Sequence, residues 1–251
     1  MGAVEPDYLP WILGAGLATG AGGLALLVVR RPSDRLLDTL LGFTAGIMLA
    51  ATAFSLLVPA LELGSVAEVV AGLLVGAVLL ALLDIVLPHV HARVTETGEA
   101  TTVHARTRAT LLLSALTLHN VPEGLAVGVA FAAGGVELGV PVAVAIGVQN
   151  VPEGFAAAAP LLTAGTSRRR AVGFAALTGP VEPPAALAAL GAAALTSALL
   201  PFGLGFAAGA MLYVIVDELI PESHARGFER EASYALLVGF ALMLVLDTAL
   251  G

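Results

Sequence analysis

The 251-residue chain is 58% hydrophobic, only 12% charged, and carries a formal net charge of −8 at pH 7, with a mean hydropathy of +0.96. A soluble domain carries about twice that charged fraction, so this is the composition of an integral membrane protein whose surroundings are a lipid bilayer. Cysteine is absent, which excludes disulfides and thiolate metal sites, and 19 acidic residues face 11 arginines with no lysine, which argues against a nucleic-acid partner.

A bilayer crossing takes about 20 apolar residues. Eight stretches qualify: 8–29, 38–60, 66–88, 109–132, 138–162, 171–194, 198–220 and 232–250. They predict an all-α polytopic membrane protein with one transmembrane domain over residues 1–251. Connections are short except for the polar loop 89–108, which contains His89, His91 and His104. Ahead of span one stand Glu5 and Asp7 with no basic group, unlike the n-region of a signal peptide.

The basic residues orient these spans. Arg30, Arg31 and Arg35 follow span one, and Arg93, Arg106 and Arg108 follow span three. Arg168, Arg169 and Arg170 follow span five, and Arg226 and Arg230 follow span seven. All of them fall on one side, while Glu5, Asp7, Glu62, Glu68 and Glu137 fall on the other. The positive-inside rule puts the arginine loops in the cytoplasm and both termini outside the cell membrane. Gly16 and Gly20 in span one, Gly72 and Gly76 in span three, and Gly205 and Gly209 in span seven are spaced to let helix backbones approach closely.

Polar interruptions of the spans are costly in lipid and mark a pathway or a site. Span four contains His119-Asn120-Val121-Pro122-Glu123-Gly124, and span five contains Gln149-Asn150-Val151-Pro152-Glu153-Gly154. One motif on two antiparallel spans is the pattern of an inverted repeat with a midplane site. His119 and Glu123, like Gln149 and Glu153, share a helix face at i and i+4, with Asn120 and Asn150 at the edge. Pro122 and Pro152 crowd the carbonyls of Leu118 and Val148 and predict kinks. Span six adds Gly179-Pro180-Val181-Glu182-Pro183-Pro184, a third carboxylate in a segment expected to be broken. Met48 in span two is a candidate thioether ligand.

One imidazole and three carboxylates suit zinc, iron, cobalt, nickel or manganese, whereas a calcium or magnesium site is built from oxygen. Three neighbouring carboxylates in a low dielectric need a cation or protons. Two other readings use the same groups. An intramembrane metal-dependent hydrolase would need an activated water, but neither a His-Glu-x-x-His motif nor a Ser-His or Cys-His nucleophile pair is present. A proton- or sodium-coupled exchanger of another substrate would use buried carboxylates, though His119 and Met48 weigh against sodium. No nucleotide-binding motif occurs.

At these residues the chain resembles the ZIP (Zrt- and Irt-like) family of divalent metal transporters, in its prokaryotic branch. The resemblance covers essentially the whole chain, and the paired His-Asn-x-Pro-Glu-Gly and Gln-Asn-x-Pro-Glu-Gly motifs are its most specific part. It implies transport of zinc, or of iron, manganese, cobalt or cadmium, into the cytoplasm by alternating access, with a homodimer as the assembly and no catalytic cofactor. It implies a two-metal centre: Met48, His119, Glu123 and Glu153 at one position, and Asn120, Asn150, Glu153 and Glu182 at the other. Gln149 occupies a ligand-adjacent place. The family often has Asp at the place of Asn150, so the second position is one negative charge short. Spans one, four, five and six would carry the metal against a scaffold of spans two, three, seven and eight. Ser55, Glu62 and Asp247 are candidate entrance residues. Asp84, His89, His91, Asp217 and Glu218 are candidate exit residues, and some relatives have His in place of Asp217.

Overall fold

The computed structural model describes residues 5–29, 32–86, 102–163 and 165–250, with residues 86, 102–116 and 163 as backbone alone. The candidate exit residues His89 and His91, and the first part of the 89–108 loop, lie outside the described residues. Helices form every regular element among the described residues, and no strand occurs there.

A short 3-10 turn leads into α1 (Leu9–Leu24). In α2 (Asp34–Ala50) the Leu36 N–H donates to the Ser33 hydroxyl at 3.2 Å, and Asp34 sits in the first turn. Both features favour a helix start, by capping an orphan N–H and by complementing the helix dipole. The helix then widens into a π-helical stretch, Ala51–Leu57, before α3 (Val58–Leu63). Pro59 lacks an N–H and crowds the carbonyl of Ser55, and a wider turn is how a helix absorbs such a defect. The same event recurs later. α8 (Leu200–Val214) passes into a π-helical stretch, Ile215–Leu219, and then α9 (Ile220–Ser223), where Pro221 crowds the carbonyl of Asp217.

Between these lie α4 (Val66–Val86) and α5 (Thr102–Thr163). The helical run of α5 is broken at Gly134 (φ −136°, ψ 17°) and Gly135 (φ 59°, ψ −139°). The positive φ at Gly135 is open to glycine and strained for other residues. The two halves lie side by side, since Gln149 Nε2 donates to Glu123 Oε1 at 2.6 Å. Helical geometry continues through Pro122 and Pro152. α6 (Arg168–Thr178) and α7 (Glu182–Leu195) are separated by a 3-10 turn, Gly179–Val181, in the segment whose prolines predict a break. α10 (Glu229–Leu250) ends the bundle.

Six helical runs among the described residues are long and apolar enough to cross a membrane: Pro6–Leu27, Asp34–Leu63, Val66–Ile85, Thr117–Leu162, Ser197–Ser223 and Glu229–Leu250. The count is lower than the eight expected for two reasons. Thr117–Leu162 covers residues expected to form spans four and five, and the run of α6 and α7, with Glu182 and three prolines in its middle, falls short in apolarity.

Glycines decide how the helices pair. A methyl at Gly72 or Gly76 would strike the Phe202 or Phe206 carbonyl, and one at Gly205 or Gly209 would strike that of Val69 or Leu73. The two glycine pairs thus belong to one reciprocal seam between α4 and α8. Gly42, Gly46 and Gly239 form a similar seam between α2 and α10. On the other side of the molecule, Gly22 and Gly154 join α1 to the second half of α5, and Gly124 and Gly128 join its first half to α7. Gly16 packs against Gly179. The seams link α1, α5, α6 and α7 in one group and pair α2 with α10 and α4 with α8; these two pairs join in a second group where Ala51–Leu57 and α3 pack on α8. Where Gly203 of α8 faces Val129 of α5, a methyl would meet only side-chain atoms, at 3.6 Å. The outer faces of α4 and α10 are apolar and exposed, including Leu74, Val78, Leu82, Leu237 and Val245, as lipid contact requires.

At one end of the bundle, Pro32, Asp34, Ala159, Thr166, Arg168 and Arg226 line a common cavity of about 660 Å³. Three arginine-bearing connections therefore meet there. Arg168 Nη1 donates to the Leu26 carbonyl at 3.3 Å. Asp38 is fully buried; its carboxylate accepts from Arg226 Nη1 at 3.0 Å and from the Phe228 N–H at 3.3 Å. Burial opposes the charge on Arg226, but Glu222 and Asp38 outweigh it and hold the guanidinium above its usual range.

Candidate metal centre

Where the two groups meet, α5 supplies both motif copies. His119, Asn120, Glu123, Gln149, Asn150, Glu153 and, from α7, Glu182 are all buried. Helical repetition puts each motif on one face, and the turn at Gly134 and Gly135 brings the two faces together. Glu153 has Glu123, Glu182 and His119 as charged neighbours.

Most of these side chains are held by internal partners. Glu123 accepts from Gln149 Nε2 at 2.6 Å. Glu182 accepts from Asn150 Nδ2 at 2.8 Å and 2.9 Å, from Asn120 Nδ2 at 3.1 Å and from the Thr19 hydroxyl at 3.4 Å. Asn150 Nδ2 also donates to the Ala15 carbonyl at 2.9 Å. His119 Nε2 stands 2.5 Å from Glu218 Oε2. With the groups parked in this way, no three His, Asp or Glu side chains among the described residues close round a common point.

The remaining valences are one-sided. Asn120 Oδ1, Glu123 Oε2, Gln149 Oε1, Asn150 Oδ1 and Glu153 Oε2 are buried and accept no hydrogen bond. Each is an acceptor when its group is an amide or a carboxylate, and the Glu123 and Glu153 carboxyls face each other so that a proton on one is donated to the other. A buried polar atom without a partner costs about 1–3 kcal/mol. Buried acceptors left in this way call for a cation or for protons.

Met48 is buried in α2, three residues ahead of the π-helical stretch that starts at Ala51. Of the entrance candidates, the Ser55 hydroxyl donates to Asp247 Oδ1 at 2.6 Å, whereas Glu62 is exposed on α3. Of the exit candidates, the charges of Asp84 and Glu218 act on His119, and Asp217 neighbours Tyr213. Thr19, Thr44 and Asp38 were not anticipated. The Thr44 hydroxyl lies 3.5 Å from the Gln149 carbonyl oxygen. A threonine in a span ordinarily bonds its own helix, as Thr52 does to the Met48 carbonyl at 2.7 Å, so the sequence offers no signal that Thr19 and Thr44 face neighbours. Asp38 carried one overlooked signal: it is a carboxylate at the arginine-side edge of an apolar span.

A helical membrane protein with a buried, acceptor-rich centre is the class that this fold and site define. The chain belongs to the ZIP zinc transporter family, whose family model, described as "ZIP Zinc transporter", matches residues 91–247. Members of this family are transporters and not enzymes. The chain is 47% identical to the zinc transporter GufA of Myxococcus xanthus, over 94% of this chain and 96% of the relative. It is 43% identical to the zinc transporter ZIPB of Bordetella bronchiseptica, over 93% and 78%. It is 33% identical to the human zinc transporter ZIP11, over 93% and 94%.

Proposed function

We propose that this protein carries zinc, or a related divalent transition metal such as iron, manganese, cobalt or cadmium, across the cell membrane into the cytoplasm. The carrying observation is the set of five buried oxygens with no donor. Divalent cations would satisfy acceptors of this kind, and the imidazole of His119 favours a borderline metal over sodium, magnesium or calcium. Met48, His119, Glu123 and Glu153 form the first ion position, with Gln149 beside it. Asn120, Asn150, Glu153 and Glu182 form a second, poorer in charge.

Transport proceeds by alternating access. The chain crosses the membrane eight times, with spans four and five as the halves of α5, span six as α6 and α7, and both termini outside. The meeting of the arginine-bearing loops at one end of the bundle supports a common cytoplasmic side. An ion entering past Ser55, Glu62 and Asp247 exchanges water for the central ligands. The group of α1, α5, α6 and α7 then moves against the group of α2, α4, α8 and α10. The packing favours this division, because glycine seams lock α1, α5 and α7 together, α2 to α10 and α4 to α8, while Gly203 and Val129 meet across the boundary in ordinary contact. Release past Asp84, Asp217 and Glu218 is assisted by protons, which compete with metal for the same ligands.

Zinc flux into proteoliposomes tests the reading. Glu123→Ala and His119→Ala should each abolish uptake while the protein still inserts. Unchanged uptake of every divalent metal in either variant would remove the central site from the pathway.

A further inference from the structure

The second ion position has an occupant of its own. Asn150 Nδ2 lies 2.8 Å and 2.9 Å from the two oxygens of Glu182. It straddles the carboxylate fork, as a small cation would. Its further contact, the Ala15 carbonyl oxygen at 2.9 Å, is another acceptor that would suit a cation. Asn120 Nδ2 at 3.1 Å and the Thr19 hydroxyl at 3.4 Å complete the donor set around Glu182. Hydrogen bonds to a charged acceptor are stronger than neutral ones, and here they reach a side chain only 2% exposed.

The contrast with the other carboxylates is sharp. Glu123 and Glu153 each keep a buried oxygen without a donor, whereas Glu182 keeps none. The geometry of the amides explains the difference. An amide has donors at one end and an acceptor at the other. Asn120 and Asn150 both direct nitrogen at Glu182, which leaves Asn120 Oδ1 and Asn150 Oδ1 among the unsatisfied acceptors. An aspartate at 150 would instead present a second negative charge to Glu182, and the pair would require a cation between them.

We propose that in this chain the amide nitrogen of Asn150 takes the place of the second metal ion, so that the centre carries one divalent ion at a time. Glu182 then serves as an anchor that holds α1, the second half of α5 and α7 together, and the amide oxygens are neutral ligands directed to the remaining ion. This rests on the transport-site reading above and narrows it from two positions to one.

Metal stoichiometry of the purified full-length protein decides the matter, measured by equilibrium dialysis against zinc and elemental analysis. Wild type should hold one zinc ion per chain. Asn150→Asp should hold two, and Glu182→Gln in the wild-type background should stay at one. Two ions on wild type would overturn the proposal while leaving the transport site intact. A folded Asn150→Asp protein that still binds one ion would also overturn it. No bound zinc on wild type would remove the transport-site reading itself. If Asn150→Asp fails to fold, wild type and Glu182→Gln still decide, because two ions on wild type falling to one on Glu182→Gln would identify an occupied second position. Anomalous peaks from cadmium-soaked crystals give the same answer by position, with one peak expected on wild type.

Discussion

His119 Nε2 and Glu218 Oε2 meet at 2.5 Å, with the imidazole on α5 and the carboxylate on the π-helical stretch after α8, so the contact crosses the boundary between the two helix groups. The nitrogen that would bind a metal is thus engaged by a carboxylate of the opposite group. A nitrogen that gives its lone pair to zinc cannot donate a proton to Glu218, so metal binding and this contact are alternatives.

Glu218→Gln removes that competitor. A hydrogen bond to a charged group is worth about 1.5–3 kcal/mol, so zinc should bind to the variant roughly ten-fold more tightly in a competitive chelator titration. Turnover in proteoliposomes should fall if Glu218 serves the exit path proposed above. Weaker zinc binding would mean that Glu218 is itself a ligand.

Movement of one group against the other can be trapped covalently, and the absence of native cysteine makes the background clean. A Cβ at Gly20 would stand 3.3 Å from Ala176 Cβ, within one group, and a Cβ at Gly203 would stand 3.6 Å from Val129 Cγ1, across the boundary. The first pair is near the Cβ separation that a disulfide needs, and in the second the Val129 Cβ lies beyond 4 Å, behind its methyls. Oxidation of Gly20→Cys/Ala176→Cys should leave zinc uptake unchanged. Oxidation of Gly203→Cys/Val129→Cys should stop it, with recovery on reduction. Full uptake by the cross-linked second pair would contradict motion at that boundary.

The glycine seams set stability. Gly209→Leu would drive a side chain into the Leu73 carbonyl, and backbone on both helices must separate. Overpacking of this kind costs about 1–3 kcal/mol or more. The variant should melt well below wild type in detergent. Gly191→Ala, where a methyl meets nothing within 4 Å, should melt no lower than wild type. Equal melting temperatures for both variants would mean that α4 and α8 do not pack through Gly209.

Arg226→Ala should also destabilise the protein, by about 3 kcal/mol, because it leaves the buried Asp38 carboxylate without its guanidinium. Adding Asp38→Asn should recover part of that loss. The double variant removes the stranded charge, while the Phe228 N–H can still donate to the amide oxygen. A double variant no more stable than Arg226→Ala would show that the carboxylate is not what makes the single change costly.

Much of this was legible in the residues. Apolar run lengths identify membrane helices because lipid offers no partner for a free backbone N–H or carbonyl. The repeated motif marks a candidate site because carboxylates and amides are costly in lipid, and the fold brings its two copies together. What escaped was everything that depends on neighbours. The π-helical stretches precede Pro59 and Pro221, whereas α5 continues through Pro122 and Pro152, so a proline in a span predicts only some disruption, not its form. The partnership of Gly72 and Gly76 with Gly205 and Gly209 is invisible along the chain, where each pair reads as one more small-residue repeat.

The opposed roles of the polar groups belong to the same category. Local spacing determined that His119 and Glu123 share one helix face, that Gln149 and Glu153 share another, and that Glu182 opens a broken span. It determined these things because helical periodicity is a property of neighbouring residues. Only the tertiary structure decided that Asn150 would spend its nitrogen on Glu182, that Gln149 would hold Glu123, and that His119 would meet Glu218. Those choices depend on which donors stand within about 3 Å across helices, and that distance is set by packing between segments far apart in the chain.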